Sequence, residues 1–214
     1  MRAALLELIA PSVCPACDAR RLPGEALLCA SCARGLRRLP GLRGVATALA
    51  YEDTAARLLR RYKFELRRDA LPLLVEALAD RLAGLRFDIV VPVPRHRLRI
   101  REQGGDPVHD LARALARHCG RPLRDALRRT RPTPPQTGLG PAQRRENVRG
   151  SFRALRNHGD PGDGGDGLRG RRVLLLDDIT TTGATLDEAR RALRRARPRG
   201  VLRAALAATP PHAL

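Results

Sequence analysis

Apolar residues follow two patterns along this chain: short continuous runs, which are typical of buried strands, and helical spacing, which is typical of amphipathic helices. Short apolar runs within residues 41–52, 87–91, 173–176 and 201–209 predict buried β-strands. Apolar residues at helical spacing within 54–64, 69–82, 108–120 and 185–196 predict amphipathic helices between them. Strands that alternate with helices predict an α/β fold with a parallel sheet and helices on both faces.

Two segments show neither of these patterns. Residues 130–140 are rich in proline and glycine, and we expect them, together with the arginine-rich stretch 142–152, to be irregular. The glycine- and aspartate-rich stretch 158–170 predicts a solvated connection of low complexity.

Two C-x-x-C pairs near the N-terminus predict a metal site formed by Cys14, Cys17, Cys29 and Cys32. Each pair presents two sulfurs on one side of a tight turn, and four thiolates form the tetrahedron that structural zinc prefers. The alternatives are two disulfides or a single redox pair, although a reducing compartment disfavours disulfides. We expect a zinc-ribbon module over residues 1–40 with a core separate from that of the main domain, 41–214.

The stretch VLLLDDITTTGATLDEA, residues 173–189, carries the clearest chemistry. The pattern predicts a strand over 173–176, a turn over 177–183 and a helix that begins at Thr185. Free backbone N–H groups at a helix N-terminus, with threonine hydroxyls and a glycine beside them, predict a phosphate site. Asp177 and Asp178 would repel that phosphate, so we expect them to face ribose hydroxyls or a hydrated Mg²⁺. An ordinary helix cap is the alternative, but a cap needs only one such residue.

The net charge of +19 is high enough to suggest an anionic partner such as nucleic acid. The basic residues are nearly all arginine, with Lys63 the one lysine, and they are spread along the whole chain. A diffuse basic surface is the alternative to specific nucleic-acid binding. The first 11 residues predict a short amphipathic helix rather than a secretion signal, because Glu7 interrupts the apolar run and no cleavage site follows. We expect a cytoplasmic protein without membrane insertion.

Leu174 to Thr185 resembles the phosphoribosyl pyrophosphate (PRPP) signature of type I phosphoribosyltransferases. The motif VPVP (91–94) resembles the pyrophosphate-loop strand of that family, and PPQTGL (134–139) and RRENVRG (144–150) resemble its mobile lid. With Tyr62-Lys63-Phe64 and the four cysteines, the set is similar to the ComF family, bacterial proteins linked to natural competence and DNA uptake. The resemblance covers nearly the whole chain. It implies a type I phosphoribosyltransferase-like sheet with a small N-terminal zinc-ribbon module, and Mg²⁺ that accompanies PRPP.

The resemblance also implies roles for individual residues. The acidic pair Asp177 and Asp178 would orient the ribose during catalysis. The remaining implied contacts are to the two phosphate ends of PRPP: Thr181, Thr182, Gly183, Ala184 and Thr185 for the 5-phosphate, and Pro94, Arg95, His96, Arg144, Arg145 and Arg149 as pyrophosphate-loop and lid candidates.

One departure from the family bears on activity. Where members usually read Phe-Asn-Gln after VPVP, this chain has Gly105, Asp106 and Pro107. Two functions therefore stay open: phosphoribosyl transfer to an acceptor that the sequence does not identify, or a non-catalytic accessory of DNA uptake that binds PRPP, single-stranded DNA or a helicase.

Overall fold

The computed structural model describes residues 13–21, 27–65, 67–102, 104–133, 140–155 and 167–210. The predicted N-terminal helix, most of the 158–170 connection, Gln103 and the Pro134-Pro135-Gln136 motif lie outside these residues. Within the described part, no helix is long and apolar enough to cross a membrane.

A four-stranded parallel sheet forms the centre of the main domain, as the alternating pattern predicts. Its strands lie in the spatial order β1-β6-β5-β2, and β3 and β4 form a separate antiparallel pair. The strand bounds are β1 Ala46–Ala50, β2 Ile89–Pro92, β3 Leu127–Arg129, β4 Phe152–Ala154, β5 Arg172–Thr180 and β6 Gly200–Ala208.

Helices cover both faces of this sheet, again as predicted. Their bounds are α1 Ala30–Arg34, α2 Asp53–Phe64, α3 Leu71–Leu82, α4 Arg97–Glu102, α5 Pro107–His118, α6 Pro141–Val148 and α7 Ala184–Leu193, with short 3₁₀ turns at Arg68–Ala70 and Arg194–Ala196. Successive side chains of β5 point to opposite faces. Leu174 and Leu176 pack in the cluster that holds α2, α3 and α5, whereas Val173 and Leu175 pack in the cluster that holds α7.

Two sequence predictions of local structure are wrong. Residues 141–148 form helix α6 rather than an irregular stretch: the N–H of Gly140 donates to Oε1 of Gln143 at 2.9 Å, and Val148 is buried at the other end. Strand β5 continues through the acidic pair to Thr180, where the sequence predicted a turn from Asp177. Parallel pairing with β6 continues to the end of β5 and keeps these residues extended.

The cysteine module does not have the separate core that we expected. Cys14, Ala16, Leu28 and Cys32 are buried in the same apolar cluster as α2 and the sheet. Arg61, on α2, also forms a salt bridge with Asp18 of the module. Such a small segment buries too little apolar surface for a core of its own, so it packs onto the larger domain.

Candidate functional site

A cavity of about 520 Å³ opens at the carboxyl ends of β2 and β5, where ligands of parallel α/β sheets usually bind. Residues from six segments of the chain line it. They are Lys63, Val93, Pro94, Arg95, His96, Arg99, Val108, Arg129, Pro132, Thr133, Arg144 and every residue from Asp177 to Thr185.

The loop between β5 and α7 has the local geometry of an anion site. Gly183 has φ of +80°, a left-handed conformation that glycine adopts without strain, and it directly precedes the first residue of α7. Thr182 Oγ1 accepts a hydrogen bond from the N–H of Ala184 at 3.4 Å. Because the first N–H groups of a helix lack intrahelical acceptors, the start of α7 favours a bound anion. Each of the predicted phosphate-binding residues 181–185 lines the cavity.

The two aspartates lie beside this loop in different surroundings. Nζ of Lys63 is 2.6 Å from Oδ2 of Asp178, and both side chains are 11% exposed. Oδ1 of Asp178 accepts from the N–H of Ile179 at 2.6 Å. Oδ1 of Asp177 accepts from the N–H of Asp178 at 2.9 Å.

These surroundings separate the proton affinities of the two acids. Burial and the neighbouring charge of Asp178 raise the pKa of Asp177 to about 7. Burial also acts to raise the pKa of Asp178, but the charge and hydrogen bond of Lys63 outweigh it and the pKa is lowered. Asp177 therefore holds its proton up to a higher pH than Asp178 does.

Basic side chains from two of the predicted segments share the cavity with the acids. Arg95 and His96 follow β2, and Arg144 projects from α6. Arg145 and Arg149, the other two predicted lid cations, are exposed and do not line the cavity. The structure thus brings one of the three predicted lid arginines into the site.

Sequence reasoning missed three cations at the site, Lys63, Arg99 and Arg129. Arg129 lies on β3 with its guanidinium 5.2 Å from the ring centre of Phe152, and burial lowers its pKa. Its Nε is buried with no hydrogen-bond partner among the described residues. Composition offered a signal for Lys63, because it is one lysine among 41 basic residues. No comparable signal distinguishes Arg129 from the other arginines.

The three residues that depart from the family pattern do not line the cavity. Asp106 caps helix α5: its Oδ1 accepts from the N–H groups of Val108 and His109, each at 3.1 Å. Pro107 is the first residue of that helix, where a missing N–H costs no hydrogen bond. Asparagine at position 106 would cap the helix equally well, so this substitution preserves the local fold.

The four N-terminal cysteines form a second, separate cluster. Their sulfur atoms all lie within 4.8 Å of one another, and Sγ of Cys17 is 3.8 Å from Sγ of Cys29. Four thiolates about 2.3 Å from a tetrahedral zinc ion are about 3.8 Å apart. All cysteines of the chain are free thiols, and the cluster is able to hold zinc.

Comparison with known proteins identifies the domain that carries the cavity. The family described as "Phosphoribosyl transferase domain" matches residues 108–213. Competence protein F of Haemophilus influenzae is 29% identical over 153 residues, which cover 68% of this chain and 64% of that protein. DNA utilization protein YhgH of Escherichia coli K12 is 30% identical over 166 residues, which cover 73% of this chain and 68% of that protein.

Solved structures with similar folds include the glutamine PRPP amidotransferase of B. subtilis, with a TM-score of 0.42, 23% identity and coverage of 67% of this chain and 29% of that one. The adenine phosphoribosyltransferase of Thermoanaerobacter pseudethanolicus has a TM-score of 0.40 and 16% identity, and the match covers 72% of this chain and 71% of that one. The sequence matches, rather than these structures, decide the assignment. With two thirds of YhgH matched at 30% identity, and with the phosphoribosyltransferase domain match over residues 108–213, this chain belongs to the ComF family of competence and DNA-utilization proteins.

Proposed function

We propose that the chain binds PRPP with Mg²⁺ in the cavity at the end of β5 and transfers its phosphoribosyl group to a nucleophilic acceptor. One observation carries this proposal: an anion-binding loop, an acidic pair and several cations line a single cavity. PRPP combines a 5-phosphate, vicinal ribose hydroxyls and a pyrophosphate, so each group of PRPP meets side chains of suitable chemistry.

Each part of the site has a task in this proposal. The loop 181–185 holds the 5-phosphate through backbone N–H groups and hydroxyls. The acidic pair of Asp177 and Asp178 accepts hydrogen bonds from the ribose hydroxyls as a unit, which orients the ring. Arg95 and Arg144 neutralise charge on the pyrophosphate, to which Mg²⁺ binds as part of the substrate.

The reaction breaks the bond between the anomeric carbon and the pyrophosphate oxygen, and the acceptor forms a new bond to the same carbon. Pyrophosphate leaves with the electron pair of the broken bond while positive charge develops on the ribose ring. Carboxylates beside the ring and cations around the leaving group oppose those two charges. Mg²⁺ supplies further charge neutralisation to the departing pyrophosphate.

Calorimetry with PRPP, with and without Mg²⁺, tests the binding step. Changing both Asp177 and Asp178 to Asn should weaken PRPP binding by about a hundredfold, since two hydrogen bonds to charged groups are lost. Changing Asp80 and Asp125 to Asn is the matched control, because those carboxylates are 61% and 65% exposed and lie outside the cavity. Unchanged affinity in the first variant would refute the ribose role, and pyrophosphate release with candidate acceptors tests the transfer step.

A second candidate function is that of a non-catalytic accessory in DNA uptake, which binds PRPP or single-stranded DNA. The names of the relatives and the net charge of +19 favour it. If the charge acts diffusely, affinity for single-stranded DNA should fall steeply with salt and show little sequence preference. A complex that persists at several hundred millimolar salt, combined with no pyrophosphate release, would favour the accessory function over the transferase.

A further inference from the structure

An ion pair between Lys63 and Asp178 joins helix α2 to the acidic pair. Nζ of Lys63 lies 2.6 Å from Oδ2 of Asp178, and each side chain keeps only 11% of its surface exposed. An ammonium this poorly solvated needs a partner to compensate for the water that it has lost. The position of Lys63 is therefore tied to that of Asp178.

Contacts at the end of α2 fix the direction of the lysine. Lys63 lies in the last turn of the helix, where the backbone carbonyl groups favour a cation. The hydroxyl of the preceding residue, Tyr62, donates to the carbonyl of Pro107 at 3.0 Å and is buried. Asp18 pairs with Arg61 one residue further back. The backbone that carries Lys63 is thus held on two sides.

The two carboxylates consequently differ in what they offer to a ligand. Both oxygens of Asp178 are engaged: Oδ1 by the N–H of Ile179 and Oδ2 by Lys63. In Asp177 only Oδ1 is engaged, by the N–H of Asp178, and Oδ2 has no hydrogen-bond partner among the described residues. Asp177 lines the cavity, so its second oxygen is available to a ligand.

We propose that Lys63 is the positioning residue of the acidic pair: it holds Asp178 in one orientation and cancels its charge, so that Asp177 can accept a hydrogen bond from the sugar. This inference rests on the proposed binding of PRPP in the cavity. It assigns unequal roles to two residues that the sequence motif presents as equivalent.

Removal of Lys63 would leave Asp178 without its ion pair, although the charges of Arg95 and Arg129 would still act on the two carboxylates. The two carboxylates would repel each other and the anionic ligand, and Asp178 would be free to turn. Arginine can restore the charge and donate to Oδ2, although its planar guanidinium is larger than an ammonium. Methionine fills similar space without charge.

The test compares PRPP affinity, measured by calorimetry with Mg²⁺, in four proteins: the wild type, Lys63→Met, Lys63→Arg and Arg60→Met. Arg60 is exposed on the same helix, so its variant removes one positive charge away from the cavity. We expect Lys63→Met to weaken binding about tenfold or more. Lys63→Arg should recover most of the loss, and Arg60→Met should bind as the wild type does.

The effect of Lys63→Met on PRPP affinity is then measured in the background of each aspartate variant, which distinguishes a positioning role of Lys63 from a general effect of its charge. In an Asp178→Asn background, Lys63→Met should change affinity less than about twofold, because the partner of Lys63 is already gone. In an Asp177→Asn background, the effect of Lys63→Met should also shrink, because Lys63 acts through the hydrogen bond that Asp177 accepts, whereas a general charge effect would persist in both backgrounds. Circular dichroism melts of every variant establish that the protein is folded, and Lys63→Gln, which also removes the charge, serves as the probe if Lys63→Met does not fold.

The outcomes distinguish this inference from the proposed function. If the wild type binds PRPP and Lys63→Met binds equally well, the positioning role is overturned while the proposed function stands. Equal losses in Lys63→Met and Arg60→Met, or an arginine variant no better than the methionine variant although it is folded, would also overturn it. If the wild type does not bind PRPP with Mg²⁺, the proposed function fails and the inference fails with it.

Discussion

Replacing Asp177 with Asn should change how the stability of the ligand-free protein depends on pH. Burial and the charge of Asp178 raise the pKa of Asp177 to about 7 in the folded state, whereas the pKa of an aspartate in an unfolded chain is about 3.9. The folded state therefore binds this proton more tightly than the unfolded state does. The resulting stability is fully present below about pH 4 and is lost as the pH rises through about 7.

The magnitude follows from the span of pH between these two values. Each pH unit in which the folded protein alone holds the proton changes the free energy of unfolding by about 1.4 kcal/mol. Between pH 5 and pH 8, the wild type should lose roughly 3 kcal/mol through Asp177. Asn carries no titratable proton, so Asp177→Asn should not lose this stability and should gain by that amount relative to the wild type.

Urea unfolding followed by circular dichroism at pH 5 and pH 8 measures this difference. The measured quantity is the free energy of unfolding of Asp177→Asn minus that of the wild type at each pH. Asp80→Asn, a change at an exposed carboxylate, should give the same difference at both pH values. If the difference for Asp177→Asn does not become more favourable at pH 8, the assignment of the proton to Asp177 is refuted.

Two further predictions concern the cysteine cluster and the arginines near the cavity. Purified protein should contain about one zinc per chain. Cys32→Ser should speed hydrogen exchange in α2 far more than in β5, because the cysteine cluster packs on α2. Protein that is prepared without chelator, contains no zinc and shows normal exchange in α2 would contradict this prediction. PRPP with Mg²⁺ should slow tryptic cleavage after Arg144, which lines the cavity, but not after the exposed Arg86. Equal slowing at both sites would indicate general stabilisation rather than a lid.

Local sequence determined the parts of the site that lie within one continuous segment. Residues 172–184 contain the strand, the glycine with positive φ and the start of the helix. Because these features are adjacent in the sequence, they are also adjacent in the structure. The same holds for each C-x-x-C turn, whose two sulfurs are close because the turn is tight. The order of apolar runs and amphipathic helical segments likewise predicted the parallel sheet, since strands that alternate with helices pair in parallel with the helices on their faces.

Only the tertiary structure decided which distant side chains join that segment. Lys63 reaches Asp178 across 115 positions of sequence because α2 packs on the same face of the sheet as Leu174 and Leu176. Pairing with β6, rather than any local signal, extended β5 through the acidic pair. The different proton affinities of Asp177 and Asp178 have the same origin: two identical residues become unlike when a cation carried by another element lies against only one of them.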